Sequence, residues 1–548
     1  MPKSRGSLAV SLEVHPCGAS SSFVSSAKSW LGHPGVDRRA GVLPLGSPED
    51  VEKISPVEAS WRYLEHLSDS FRATFGDALE EQEVILTVPA SFDASARELT
   101  AEAALAAGIE NLTLLEEPQA ALYAWIDAMG SAWRETIHVD DVILVVDIGG
   151  GTTDFSAMLV VDREGSLELE RIAVGDHILL GGDNMDLALA HVVRQKLAAE
   201  GKEIDRFQMG TLTHAARVAK EHLLADPEAK TAPIVIASRG SKLIGGSLKS
   251  ELTREEVEKT LVEGFFPAVK STDRPVTRAR AALTQLGLPY ASDAAVTRHL
   301  AAFLGKQAGA ATRLGRVAKG ERAPKLLHPT AVLWNGGVMK AEALRSRLVS
   351  TLNGWLEEDG AERVRVLPNA DLDLAVARGA AYYGLARRGR GLRIRGGTAR
   401  AYYVGIESAV PAVPGIEPPI VALCVAPFGM EEGTEAALPP QELGVVVGEP
   451  VRFRFFGSTV RRDDHAGTEL DYWKESEVEE LPPIEVTLPL APSPSEETEG
   501  RREGDVVPVR LRASITEVGT LLLEAIPIEP RTEGEKWRVE LSVRSGAS

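Results

Sequence analysis

Three consecutive glycines set between two acids are the most chemically suggestive feature of the sequence: Asp147-Ile148-Gly149-Gly150-Gly151-Thr152-Thr153-Asp154. A glycine-rich turn leaves several backbone amides unobstructed by side chains, and a concavity of such amides binds phosphate oxygens. Thr152 and Thr153 add hydroxyls to the same turn. The flanking carboxylates, Asp147 and Asp154, suit magnesium held through its waters, or the orientation of an attacking water. The alternative is a plain hairpin turn. Three glycines in a row lose backbone entropy on folding and pack nothing, so phosphate binding is the expected use. A second glycine turn, Gly336-Gly337, sits where a strand gives way to a helix and lets a ligand approach a helix N-terminus. Alone it is a weak signal; paired with the first loop it implies two turns facing one cleft. Glu117-Pro118 reads as a rigid helix start.

Other chemistry is disfavoured. His214 and His222 lie eight apart with no third ligand near, so solvated or core histidines are expected rather than a metal site. Cys17 and Cys424 are the only cysteines, which gives neither a zinc framework nor a disulfide ladder and fits a reducing compartment. The 548 residues carry 60 Lys plus Arg against 79 Asp plus Glu, and a formal charge of −19 opposes nucleic-acid or anionic-membrane partners. No apolar run approaches the ~18 residues of a membrane helix, nor the pattern of a signal peptide. A cytoplasmic protein is expected.

The elements that must position these groups are legible as patterns. Residues 47–76 keep apolar side chains at helical spacing (Val57, Trp61, Leu64, Leu67, Phe71). A strand at 84–88 stops at Pro89, Asp93 caps an alanine-rich helix that ends at Gly108, and a strand at 112–115 leads to a helix that reaches Gly130. Residues 142–146 form a continuous apolar strand, and 155–161 and 167–174 continue as a meander, so the glycine loop joins strand to strand. A Rossmann loop must open a helix, and that reading fails. Gly181-Gly182-Asp183 precedes a helix with Met185, Leu189, Val192 and Leu197 on one face; residues 331–334 are a strand, followed after the turn by a stripe of Leu344, Leu348, Leu352 and Trp355. Six arginines and no acid between 384 and 400 read as a solvated linker, and short strands follow to the end, with an acidic, proline-rich stretch at 475–503.

Taken together, these segments resemble the 70-kilodalton heat-shock chaperones, the DnaK-like members of the actin-fold ATPases. The similar stretches are Ser26-Ala27-Lys28-Ser29-Trp30-Leu31-Gly32, Val88-Pro89-Ala90-Ser91-Phe92 with Arg97, and Leu115-Glu116-Glu117-Pro118-Gln119-Ala120-Ala121. They continue through residues 147–154, Gly181-Gly182-Asp183, Asn335-Gly336-Gly337 and Asp373-Leu374-Ala375-Val376-Ala377-Arg378-Gly379-Ala380-Ala381, in the family's order. The resemblance implies an actin-like (ribonuclease H-like) α/β ATPase domain at 21–384 after an unassigned segment 1–20, a linker at 385–400, and an all-β, sandwich-like substrate domain at 401–548. It implies ATP or ADP with Mg2+ as ligands, unfolded or extended polypeptide clients, and co-chaperones.

By the same resemblance, Lys28, Glu117, Asp147 and Asp154 are the catalytic groups, with Asp147 at the magnesium. Gly149, Gly150, Gly151, Thr152, Thr153, Gly181, Gly182, Lys220, Gly336, Gly337 and Asp373 would line the nucleotide. Pro89, Arg97 and Pro118 would form the relay from nucleotide to substrate domain. Departures are also visible. Nothing upstream of Lys28 matches the family's first phosphate loop; Arg217, Glu221, Leu224, Val338 and Lys340 replace family residues around the adenine; residues 267–330 are longer than the family connection, with a helix near 296–304; and no long helical lid follows. The expectation is a divergent chaperone-type ATPase. A nucleotide-binding scaffold without turnover and an actin-fold small-molecule kinase are the competing readings.

Overall fold

The computed structural model of the 548-residue chain describes residues 24, 26–33, 35–45, 47, 50–76, 79–163, 166–237, 247–276, 288–308, 324–368, 371–388, 398, 400–408, 418–430, 434–458, 460–461, 463–474, 477–481, 483–490, 501–516, 520–531 and 535–542. Segment 1–20, most of the 385–400 linker and residues 491–500 of the acidic stretch lie outside the described residues. The chain divides into two compact units, residues 1–91 with 99–394, and residues 92–98 with 395–548. Helices and sheets are mixed in the first, and the second is dominated by strands.

The first unit is built on helices α1 (Ala27–Leu31), α2 (Pro56–Phe75), α3 (Ala94–Ala106, whose first turn belongs to the second unit) and α4 (Glu117–Met129), with strands β1 (Val84–Val88) and β2 (Leu112–Glu116). It continues with β3 (Val142–Ile148), β4 (Thr153–Arg163), β5 (Ser166–Val174), α5 (Gly182–Ala199), α6 (Arg206–Ala225), β6 (Thr231–Ala237) and β7 (Ser247–Thr253). Helices α7 (Val296–Lys306), α8 (Glu342–Glu358) and α9 (Ala375–Arg387) and strands β8 (Ala331–Asn335) and β9 (Arg365–Val366) complete it. The main sheet runs β5-β4-β3-β8-β9: an antiparallel meander to β3, then β3 parallel to β8 with Ile143 opposite Ala331, and β8 parallel to β9.

The unbroken apolar run at β3 has a direct cause. Val142, Leu144, Val146 and Ile148 enter one core, shared with α5, α6, α7 and α8, while Ile143 and Val145 enter another, shared with α4 and α9. A strand covered on both faces has no position for a polar residue until the sheet ends, and the first charge is Asp147. All of those aliphatic side chains are fully buried, each worth about 1.5–3 kcal/mol relative to an exposed position.

The local starts and stops follow their chemistry. Helix α2 begins at Pro56 rather than near Ser47, because Ser55 accepts from the Glu58 amide as N-cap and proline suits the first turn; it stops at Gly76, left-handed at φ 75°. Its expected stripe is only half-buried, with Ala59 and Ser68 as the covered positions of the turns between. Asp93 caps α3 through the Ala96 amide at 2.7 Å. On α5 the covered residue is Val193, with Val192 at the margin. A helix does occupy residues 296–306 in the long connection.

The second unit strings together β10 (Ala401–Glu407), β11 (Ile420–Ala426), β12 (Thr434–Ala436), β13 (Leu443–Val446), β14 (Pro450–Phe453), β15 (Phe455–Ser458) and β16 (Glu469–Leu470). It ends with β17 (Glu479–Glu480), β18 (Ile484–Thr487), β19 (Val506–Ile515), β20 (Thr520–Pro527) and β21 (Trp537–Ser542). One sheet is ordered β16-β11-β10-β15-β17, and another β12-β19-β20-β21 with β13 also on β19. Tyr402, Val404, Leu423 and Val425 of the first share a core with Ala513, Ile515, Leu521, Leu523, Val539 and Leu541 of the second, so alternate residues of each sheet meet face to face. Cys424 is buried here, and desolvation pushes its thiol up to about 12, far from a nucleophile's range.

Candidate functional site

The glycine loop is shorter than its motif. Asp147 and Asp154 belong to the strands and face each other as a cross-strand pair, with Ile148 opposite Thr153, so the turn itself spans residues 149–152. It closes with the Gly149 amide donating to the Thr152 carbonyl at 2.9 Å. Thr153 is fully buried and its hydroxyl donates to the Leu180 carbonyl at 2.7 Å, so of the two threonines expected to offer hydroxyls only Thr152 stays half-buried at the turn.

The start of α5 holds the loop from behind. The Gly182 and Asp183 amides donate to the Gly149 and Gly150 carbonyls at 3.0 and 2.8 Å. A Cβ on Gly181 would lie 2.5 Å from the Gly150 oxygen, which is why only glycine fits. Gly181 and Gly182 therefore act on the loop's backbone. From the sheet side, Gly336 adopts φ 83°, and a Cβ there would meet the Ile148 oxygen at 2.3 Å and Asp147 Oδ1 at 2.8 Å. Among the described residues nothing lies within 4 Å of a Cβ built on Gly337.

Two carboxylates placed directly opposite each other destabilise a ladder unless something answers them. Asn335 Nδ2 donates to Asp147 Oδ2 at 2.7 Å. Burial, then the charges of Glu117 and Asp154, push the Asp147 carboxyl up to about 7, against the opposing pull of Asn335 and Lys28. Lys28 reaches in from α1, 89 residues away from Glu117 in sequence, and its Nζ meets Glu117 Oε1 at 2.6 Å. Desolvation works against the ammonium, but Glu117, Asp147 and Asp154 outweigh it and hold the group above its ordinary range. With the Lys28 side chain 53% exposed, the ion pair contributes about 1 kcal/mol or less; its consequence is placement of a cation beside three acids. Ser29 of α1 also comes close, its Oγ 3.4 Å from a Cβ built on Gly151.

Remaining expected residues are more dispersed. Lys220 on α6 pairs with Asp186 on α5 at 2.6 Å, both nearly buried, and its Nζ would stand 3.6 Å from a Cβ on Gly182. Asp373 is exposed and pairs with Lys340 at 2.5 Å. Pro118 is buried in the first turn of α4, and Pro89 follows β1. Arg97, 2% exposed, donates its Nε to the Phe92 carbonyl at 3.1 Å within the second unit. Asn335, Ser91 and His177 were not singled out from sequence. The last two join Asp154, Ser91 Oγ lying 2.5 Å from Asp154 Oδ1 and 2.7 Å from His177 Nδ1. Among the described residues no group of three or more His, Cys, Asp or Glu side chains is arranged to cage a metal ion, and no helix is long and apolar enough to cross a membrane.

Fold and cleft define an α/β protein with a glycine-loop, acid-rich cleft carrying one paired lysine. Residues 44–284 match the family described as Hsp70 protein. It is similar to a chaperone protein HscA homolog of Acidithiobacillus ferrooxidans, 33% identical over 251 residues, covering 43% of this chain and 38% of that one. An HscA homolog of Burkholderia multivorans is 34% identical over 239 residues, 44% and 34% of the two chains. The chaperone protein HscA of Yersinia pseudotuberculosis is 32% identical over 226 residues, 41% and 30% of the two. The matches thus span 30 to 38% of the length of these curated relatives.

Proposed function

We propose that the protein is a DnaK-like molecular chaperone. In this reading residues 21–384 are an actin-like domain that binds ATP or ADP with magnesium and hydrolyses ATP, and residues 401–548 a β-sandwich-like domain that takes unfolded or extended polypeptide. Co-chaperones and a cytoplasmic setting belong to the same proposal. The observation that carries it is the convergence of Lys28 and Glu117 with the Asp147/Asp154 pair in front of the glycine loop.

The residues present fit both ligands. Among the described residues nothing lies within 4 Å of a Cβ on Gly337 and the nearest atom to a Cβ on Gly149 is 3.9 Å away, so backbone there is approachable by phosphate. Asp147 and Asp154 are hard oxygen donors that repel each other without a cation, which suits a magnesium that keeps its waters. Bound magnesium supplies charge neutralisation at the phosphates. Lys28 adds a second positive charge where negative charge grows, and Glu117 fixes the direction of that lysine. Asp154 and Asp147, as acceptors, orient the attacking water.

Lys28→Ala is expected to lower single-turnover ATP hydrolysis by on the order of 100- to 1000-fold, while MgADP affinity measured by calorimetry changes only a few-fold. Unchanged hydrolysis in this variant would remove Lys28 from the mechanism, and absence of nucleotide binding by the wild type would sink the ATPase reading. For the client half, a fluorescently labelled extended peptide titrated against the full chain should bind, and release faster with ATP than with ADP. No anisotropy change in either state would favour a nucleotide-binding scaffold.

A further inference from the structure

The hydrogen bonds around Asp154 form a directed chain. Ser91, three residues past the end of β1, places Oγ 2.5 Å from Asp154 Oδ1 and 2.7 Å from His177 Nδ1, and His177 Nδ1 lies 3.3 Å from the same Oδ1. A serine hydroxyl has one proton. The shorter contact is to a carboxylate oxygen, which can only accept while ionised, so Ser91 donates to Asp154. The His177 contact must then be a donation by Nδ1–H into the serine oxygen, which assigns the proton to that ring nitrogen. All three groups are largely covered, the His177 side chain at 16% and Asp154 at 9% exposure, so water competes poorly for these contacts.

Both contacts fall on Oδ1, leaving Oδ2 as the oxygen to serve the cleft. The chain also answers an electrostatic problem. Asp154 stands opposite Asp147 on the ladder and within the influence of Lys28, and the Ser91 hydroxyl on Oδ1, itself held by His177, fixes the carboxylate in one rotamer beside its neighbour. His177 sits between β5 and the Gly181-Gly182 turn, and the adjoining Ile178 carbonyl accepts from the Thr153 amide at 2.9 Å, so the histidine is tied to the strand that carries Asp154.

We propose that Ser91 and His177 are positioning residues for the hydrolytic site, acting in series, His177 Nδ1–H to Ser91 Oγ–H to Asp154 Oδ1, to hold the Asp154 carboxylate as an oriented acceptor. This rests on the ATPase reading of the same cleft. Ser91→Ala and His177→Ala each remove a link and free Asp154 to rotate by about an ångström, which lowers the single-turnover rate about 10- to 100-fold. MgADP affinity stays within about twofold, since the two groups act on the orientation of the Asp154 carboxylate. Ser91→Thr keeps the hydroxyl and His177→Asn keeps a donor near the Nδ1 position, so both retain most of the rate.

A second measurement does not depend on turnover. In 15N-histidine-labelled protein without nucleotide, the signal that His177→Asn removes should show a protonated Nδ1, and Ser91→Ala should shift it. A His177 ring with bare Nδ1, or one indifferent to Ser91→Ala, overturns the proposal whatever the enzyme does. Rates unchanged in both alanine variants, against a loss in Asp154→Asn, overturn it as well. A wild type without ATP hydrolysis, but with the expected histidine spectrum, overturns the ATPase reading and the hydrolytic role with it, and leaves the hydrogen-bond chain as a purely structural one.

Discussion

Asp147→Asn is expected to make the nucleotide-free protein more stable at pH 8 while abolishing its gain in stability from MgADP. The carboxyl titrates near 3.8 in the unfolded chain and at about 7 in the folded one, because the site is desolvated and shared with Glu117 and Asp154. A raised carboxyl pKa means the folded state holds its proton longer than the unfolded one. The native state is therefore unpenalised below about pH 4, loses stability as pH rises from about 4 to about 7, and is flat above. A shift of that size corresponds to at most about 4 kcal/mol, and sharing of protons among three acids reduces it, so a gain of roughly 2–3 kcal/mol is expected for asparagine at pH 8 and none near pH 4. Asparagine keeps an oxygen to accept the Asn335 amide, so packing is conserved. With saturating MgADP the order should invert, since a ligand stabilises in proportion to its affinity for the folded state. Calorimetric scans at the two pH values, with and without MgADP, decide it. A stability gain that does not depend on pH would place its origin in packing rather than in the Asp147 charge.

This destabilised acid also explains which parts of the site can be read from the sequence. The glycine loop and its two acids are contiguous, so spacing alone reveals them, and β3 announces itself because both of its faces are buried. Lys28 carries no local signal, being one lysine in a five-residue helix; only the resemblance brings it to Glu117. Ser91 and His177 are 86 residues apart and meet through a single proton, and a hydrogen bond of that range leaves no periodicity in the chain. Asn335 looks like turn punctuation until its amide is seen on Asp147. Thr153 and Gly181-Gly182 show the converse. Thr153 donates to Leu180, Gly182 donates to Gly149 and Gly181 packs against the carbonyls of Gly149 and Gly150, because a run of glycines with no side chains needs neighbours to fix its shape.

The largest structural effect should come from a residue that touches no proposed ligand. Gly379 lies where α9 crosses α4, and a Cβ there would sit 1.7 Å from the Ala120 carbonyl oxygen and 2.5 Å from its carbon. Both atoms are backbone of α4, where Ala120 is fully buried, so they cannot turn aside as a flexible side chain would, and Gly379→Ala must push the helices apart. Overpacking of this kind costs about 3 kcal/mol or more, which lowers the melting transition of the first unit by roughly 5–10 °C. The displacement is also functional. Ala120 is three residues from Glu117, so α4 cannot move without carrying Glu117 away from Lys28, and the 2.6 Å pair should open. MgADP affinity and single-turnover hydrolysis should therefore fall together in this variant, whereas Lys28→Ala affects chiefly the rate. Gly354→Ala on α8 provides the opposite sign: nothing lies within 4 Å of its would-be Cβ, so the same methyl group there should stabilise the helix by about 0.5–1 kcal/mol and leave the cleft untouched. If calorimetry showed the two alanines to be equivalent, close approach of α9 to α4 would not be what holds Glu117 in place.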